Sequence, residues 1–167
     1  MWGEFRVGDL FILQNGKAND TLLDDGESAY YIGAKKNDNG IMRTCERNAR
    51  YMQNGNCIIF ICNGQGSVGY ANYMDTEFCA TTDIVAGYND NLNPYIGLFI
   101  ATVASCERQK YSWGRKWKTH LADTILKLPM KYNGSPDWDW METYMKSLPF
   151  SDKIARGNRI MSRNDNK

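Results

Sequence analysis

The chain has 167 residues, 43% of them hydrophobic and 13% aromatic, a composition that builds one domain with its own apolar core and excludes a disordered polymer. Twenty Lys and Arg against nineteen Asp and Glu leave a formal charge of +1, which excludes a strongly acidic mimic of nucleic acid and leaves partner choice to where the charges sit. No apolar run approaches the roughly 20 residues of a membrane span, and Met1-Trp2-Gly3-Glu4 lacks the basic-then-apolar order of a secretion signal. A soluble cytoplasmic protein that does not engage a membrane is therefore expected.

In chain order, the first two-thirds reads as short strands between polar turns. The strands are expected at Leu10–Gln14, Ala29–Ala34, Gly40–Arg43, Cys57–Cys62, Ser67–Asn72 and Asp83–Ala86. Lys36-Asn37-Asp38-Asn39-Gly40 and Asn54-Gly55-Asn56 separate some of them with residues that tolerate positive φ. The period then changes: Tyr95, Leu98, Phe99, Thr102, Val103 and Cys106 recur at helical spacing, with Asn93 as N-cap and Pro94 at the first helical position. A late strand, Thr124–Leu128, is stopped by Pro129. A second helix follows with Ser135 as N-cap, Pro136 at N1, and Trp138, Met141, Met145 and Leu148 on one face. Residues 153–167 carry Lys153, Arg156, Arg159, Arg163 and Lys167 against Asp165, and are expected to form a basic, disordered tail behind a domain of residues 1–152.

Chemistry-bearing motifs are sparse. Gly64-Gln65-Gly66-Ser67-Val68-Gly69 is a literal GxGxxG after an apolar strand, and Asp83 stands near the distance at which a dinucleotide fold places its ribose-binding acid. The residues after it, Ser67 to Tyr73, favour strand over helix, so the glycines are expected to serve a turn rather than a cofactor. Asn93-Pro94-Tyr95 lacks the second proline of the amino-methyltransferase motif. Pro136-Asp137 with Glu142 lacks the Glu-x-Lys of metal-dependent nucleases. His120 is the only histidine, which leaves no partner for a two-histidine metal site. The five cysteines, Cys45, Cys57, Cys62, Cys79 and Cys106, are an odd set mostly within apolar stretches, as expected of reduced structural thiols. No cofactor and no catalytic centre are expected.

The strongest binding signal is Arg108-Gln109-Lys110-Tyr111-Ser112-Trp113-Gly114-Arg115-Lys116-Trp117-Lys118, where five cations interleave with three aromatics. Arg108, Lys110, Arg115, Lys116 and Lys118 suit phosphates, while Gln109 and Tyr111 suit phosphate or base edges. A solvated loop pinned to the core by its tryptophans would have the same composition. A second candidate surface is the polar loop carrying Lys35, Lys36, Asn39 and Arg43, which also reads as an ordinary hairpin turn.

Several segments taken in order resemble the target-recognition domain of specificity subunits from type I and type IIB restriction–modification systems. They are Phe5 through Gly16-Lys17, Tyr31-Ile32-Gly33-Ala34 leading to Asn39-Gly40-Ile41, and Gly64-x-Gly66-Ser67-Val68-Gly69. Phe78-x-Ala80-Thr81-Thr82-Asp83-Ile84, Lys110 through Trp117, and Leu128-Pro129 continue the series. It ends with Asn133-Gly134-x-Pro136-Asp137-Trp138-x-x-Met141-Glu142-x-Tyr144. The resemblance implies a mixed α+β domain, a curved and mostly antiparallel sheet with a few helices, that reads half of a bipartite site in double-stranded DNA. It also implies a DNA methyltransferase subunit as partner. The long helical spacer of such subunits is not matched here, so three assemblies stay open: a half-subunit that forms a homodimer, a domain excised from a larger chain, or a free-standing relative. In the last case the alternative function is an interaction protein or inhibitor that occupies the methyltransferase or host DNA sites.

Overall fold

A computed structural model describes residues 1–110 and 117–154. The architecture is mixed α+β with mostly antiparallel strands, as expected, although the strands divide among three sheets rather than one. The central sheet has the order β2 (Ile12–Asn15), β9 (Ile84–Tyr88), β6 (Cys57–Ile61), β7 (Ala71–Met74) and is antiparallel throughout. A second sheet orders β4 (Ile41–Cys45), β3 (Ala29–Ile32), β8 (Phe78–Ala80) and β5 (Met52–Gln53), with β3 and β8 parallel. A two-stranded ribbon pairs β1 (Trp2–Arg6) with β10 (Ile125–Pro129). The helices are one turn, α1 (Val7–Leu10), then α2 (Pro94–Cys106) and α3 (Trp138–Ser147).

β6 is apolar without interruption because both its faces are covered. By the two-residue period of a strand, Ile58 and Phe60 enter one core with Ile96 and Ile100 of α2, Trp117, Leu121, Leu126, Leu128 and Met141 of α3. Cys57, Ile59 and Ile61 point the other way, into a second core with Ile32, Phe78, Ala80, Ile84 and Ala86. Full burial of each large aliphatic side chain contributes about 1.5–3 kcal/mol, so β6 is the strand the fold can least do without. Four of the five cysteines are buried and all five are free; burial pushes the Cys57 and Cys62 thiols up to about 12.

Several expected boundaries move for physical reasons. Asn93 caps α2 as expected, its side-chain oxygen accepting from the Tyr95 and Ile96 amides at 3.0 Å each. α3 is capped by Asp137, which accepts from Trp140 N–H at 3.1 Å, whereas Ser135 is held in a turn by Asn133. Leu10, expected in a strand, closes α1, because the Val7 and Gly8 amides are tied to the Thr124 and Ala122 carbonyls. Pro129 ends β10 as its last residue, opposite Trp2.

Candidate nucleic-acid interface

One end of the two four-stranded sheets gathers five connecting segments. The β3–β4 hairpin closes through Gly33 N–H on the Gly40 carbonyl at 3.0 Å, with Asp38, Asn39 and Gly40 all at positive φ (51°, 53° and 82°). The residue types read as turn formers thus supply the left-handed backbone needed there. The next segment, the β6–β7 loop, carries Gly64, Gly66 and Gly69, all at positive φ (115°, 76° and 90°). No helix follows them and the motif is a turn, as expected, but the strand expected from Ser67 begins only at Ala71, because Ser67 to Tyr70 still belong to the turn that leads into β7. The loop is also a brace. Ser67 Oγ donates to the Ala34 carbonyl at 2.9 Å, and a Cβ on Gly64 would lie 2.6 Å from that of Ala34. On its other side a Cβ on Gly69 would lie 2.7 Å from Arg108 Cβ and 2.8 Å from its Cα. Both candidate basic regions therefore lean on the same glycine loop.

Arg108 stands on the short 3-10 turn Glu107–Lys110, its guanidinium 5.2 Å over the Tyr70 ring and donating to the Ser105 carbonyl at 3.3 Å. Gln109 beside it is exposed, and Lys110 pairs with Glu107. Further along the chain, Trp117 is fully buried, edge-on to Phe60 at 5.5 Å, with its indole N–H on Thr124 Oγ1 at 2.8 Å. The anchoring role expected of the tryptophans is real for this one. Lys118 Nζ reaches back to the Thr82 carbonyl at 2.7 Å, in the β8–β9 turn, and its charge partly offsets the burial that raises Cys62. That turn is joined to the hairpin by Thr81 N–H on the Ile32 carbonyl at 2.9 Å, and to the fifth segment by the bridge between Ala18 and Thr81. Lys17 is thereby added to the group, although in sequence it stands apart from both basic segments.

Lys35 pairs with Asp38 and donates to the Ile41 carbonyl at 3.1 Å; Lys36 and Lys17 are exposed and have no partner among the described residues. Lys17, Lys35, Lys36, Arg108 and Lys118 thus surround the Thr81–Asp83 turn and the glycine loop. Arg43 does not join them. Its guanidinium lies 5.7 Å over Tyr31 and donates to Asp20 Oδ1 at 2.9 Å, Asp25 Oδ1 at 3.3 Å and the Leu23 carbonyl at 2.9 Å, clamping the segment after β2 onto β4. Asn39 shapes the hairpin turn. Tyr111, Arg115 and Lys116, and the tail cations Arg156, Arg159, Arg163 and Lys167, lie outside the described residues. Among the described residues no group of three or more His, Cys, Asp or Glu is placed to hold a metal, and no helix is long and apolar enough to cross a membrane.

A basic, loop-built end on an α+β scaffold suits a polyanion, and comparison with known proteins narrows the type. Residues 1–154 match the family described as type I restriction modification DNA specificity domain. The chain belongs to that family. The specificity subunit S.BcgI of a type II restriction enzyme from Heyndrickxia coagulans is 26% identical over 149 residues, covering 88% of this chain and 43% of that subunit. The S subunit of a type I restriction–modification system from M. genitalium shares the fold with a TM-score of 0.63 at 18% identity, over 96% of this chain and 42% of that one. The HsdS subunit from Thermoanaerobacter tengcongensis gives 0.61 at 14% identity, over 98% and 40%. This specificity domain therefore spans about 40–43% of the length of the relatives it matches.

Proposed function

We propose that this specificity domain recognises double-stranded DNA sequence-specifically, as the target-recognition component of a restriction–modification system in the cytoplasm. Catalysis belongs to its partner, a DNA methyltransferase subunit, and the domain itself uses no cofactor. The observation that carries this reading is the coincidence of a family match across residues 1–154 with a single end where three of the five segments present cations around one brace. Lys17, Lys35, Lys36, Arg108 and Lys118 would position the duplex through phosphates, while Asn39 and Gln109 reach toward base edges. In sequence, Lys110, Tyr111, Arg115 and Lys116 continue the same basic run and would add to these contacts, and the basic residues 153–167 follow the recognition unit of residues 1–152. Because the relatives are more than twice as long, a second recognition unit, from a homodimer or from further chain, would complete a two-part site. The inhibitor alternative draws no support from the family match.

The test is fluorescence anisotropy of the full chain on random duplex across a salt series. Binding should weaken with a log–log slope of roughly −0.9 for each phosphate neutralised. No binding at low salt and tens of micromolar protein would contradict the proposal.

A further inference from the structure

Inside the ring of cations sits a carboxylate that no cation among the described residues pairs with. Asp83 accepts from Asn63 Nδ2 at 2.9 Å, and among the described residues it forms no ion pair. The ammonium of Lys118 goes instead to the neighbouring Thr82 carbonyl at 2.7 Å. The backbone holds Asp83 firmly: its amide donates to Thr81 Oγ1 at 3.2 Å and its carbonyl accepts from Cys62 N–H at 2.8 Å. Asn63 is exposed, at the end of β6 and immediately before Gly64 of the brace. A carboxylate among phosphate-seeking lysines weakens phosphate binding, so charge alone gives no reason for it. Orientation does. One N–H of the Asn63 amide is taken by Asp83, which restrains the amide and leaves its oxygen and its second N–H as an acceptor–donor pair on an exposed side chain. That pair complements the N6 amino group and N7 of adenine in the major groove.

We propose that Asn63 reads an adenine edge and that Asp83 is the residue that positions it; the inference rests on the DNA-binding reading above. The experiment is selection from a randomised duplex library with the full chain, followed by affinity measurements on the enriched duplex and on random duplex. Asn63→Ala should erase an adenine preference at one position, weakening the enriched duplex roughly 5- to 150-fold, and leave random duplex and the salt slope unchanged. Asp83→Asn keeps the shape but replaces the fixed acceptor; it should blur the same position while tightening random duplex through the lost negative charge. Thermal melts of both variants separate misfolding from lost reading, since the Asn63–Asp83 bond is at the surface. If wild type enriches a sequence that Asn63→Ala leaves unchanged, or if that variant weakens all duplexes alike, this inference is overturned and the DNA-binding reading stands. If wild type binds no duplex, both fall.

Discussion

The β3–β4 hairpin and the segment from Arg108 to Lys118 look alike in sequence: each is basic, polar and marked by glycine. They are rooted in different ways. The second segment is held by an apolar anchor, Trp117, sunk against Phe60 in the main core. The hairpin is held by left-handed turn residues and by a charged clamp, Arg43, whose counter-ions Asp20 and Asp25 come from far away in the chain. A cation is therefore most available to a ligand where the fold has not already clamped it with several partners. Lys36 and Lys17 pass that criterion; Arg43 does not.

The largest expected effect falls on the apolar anchor. Trp117→Ala should cost about 3–5 kcal/mol of stability by opening a cavity beside Phe60, measured by chemical denaturation. A loss near zero would mean the second segment is rooted elsewhere. Next comes the brace shared by both regions. Gly69→Ala should cost about 1–2 kcal/mol for its left-handed backbone alone, with the clash against Arg108 added, whereas Gly66→Ala, in open space, should cost about 1 kcal/mol. Equal losses would show that Gly69 is not the support under Arg108.

Much of this was legible from local chemistry. The Asn93 cap, the turn around Asp38–Gly40 and the two-faced apolar run of β6 all depend on neighbours within a few residues. What escaped depends on distant partners. β1 is an exposed edge that exists only because β10 pairs with it more than a hundred residues later. β5 and β8 are two and three residues long, too short to show a period, and are defined by pairing, β8 with β3 and β5 with β8. The same holds in the site. Arg43 reads as a free cation until the fold brings Asp20 to it, and Asp83 reads as a remote ribose acid until it is found beside Asn63.

Smaller effects separate base reading from positioning, and available from occupied cations. Gln109→Ala should cost about 1–3 kcal/mol of binding on a preferred duplex and relax one position of the selected sequence, leaving random duplex unaffected. Lys36→Ala should weaken all duplexes about equally and lower the salt slope by roughly 1, with the melting temperature unchanged. Arg43→Ala should do the reverse, lowering the melting temperature while leaving the slope alone. If Arg43→Ala lowers the slope as Lys36→Ala does, its clamp opens to DNA and the distinction between the two regions disappears.

Hydrogen exchange of the backbone amides, with and without a saturating duplex at low salt, tests most directly which end of the domain meets DNA. Protection is expected in the β3–β4 hairpin, the glycine loop from Gly64 to Gly69, the Thr81–Asp83 turn and the Glu107–Lys110 turn, with none gained along α3. Protection gained along α3 or around Asp20–Asp25 instead, with those four segments unchanged, would contradict it.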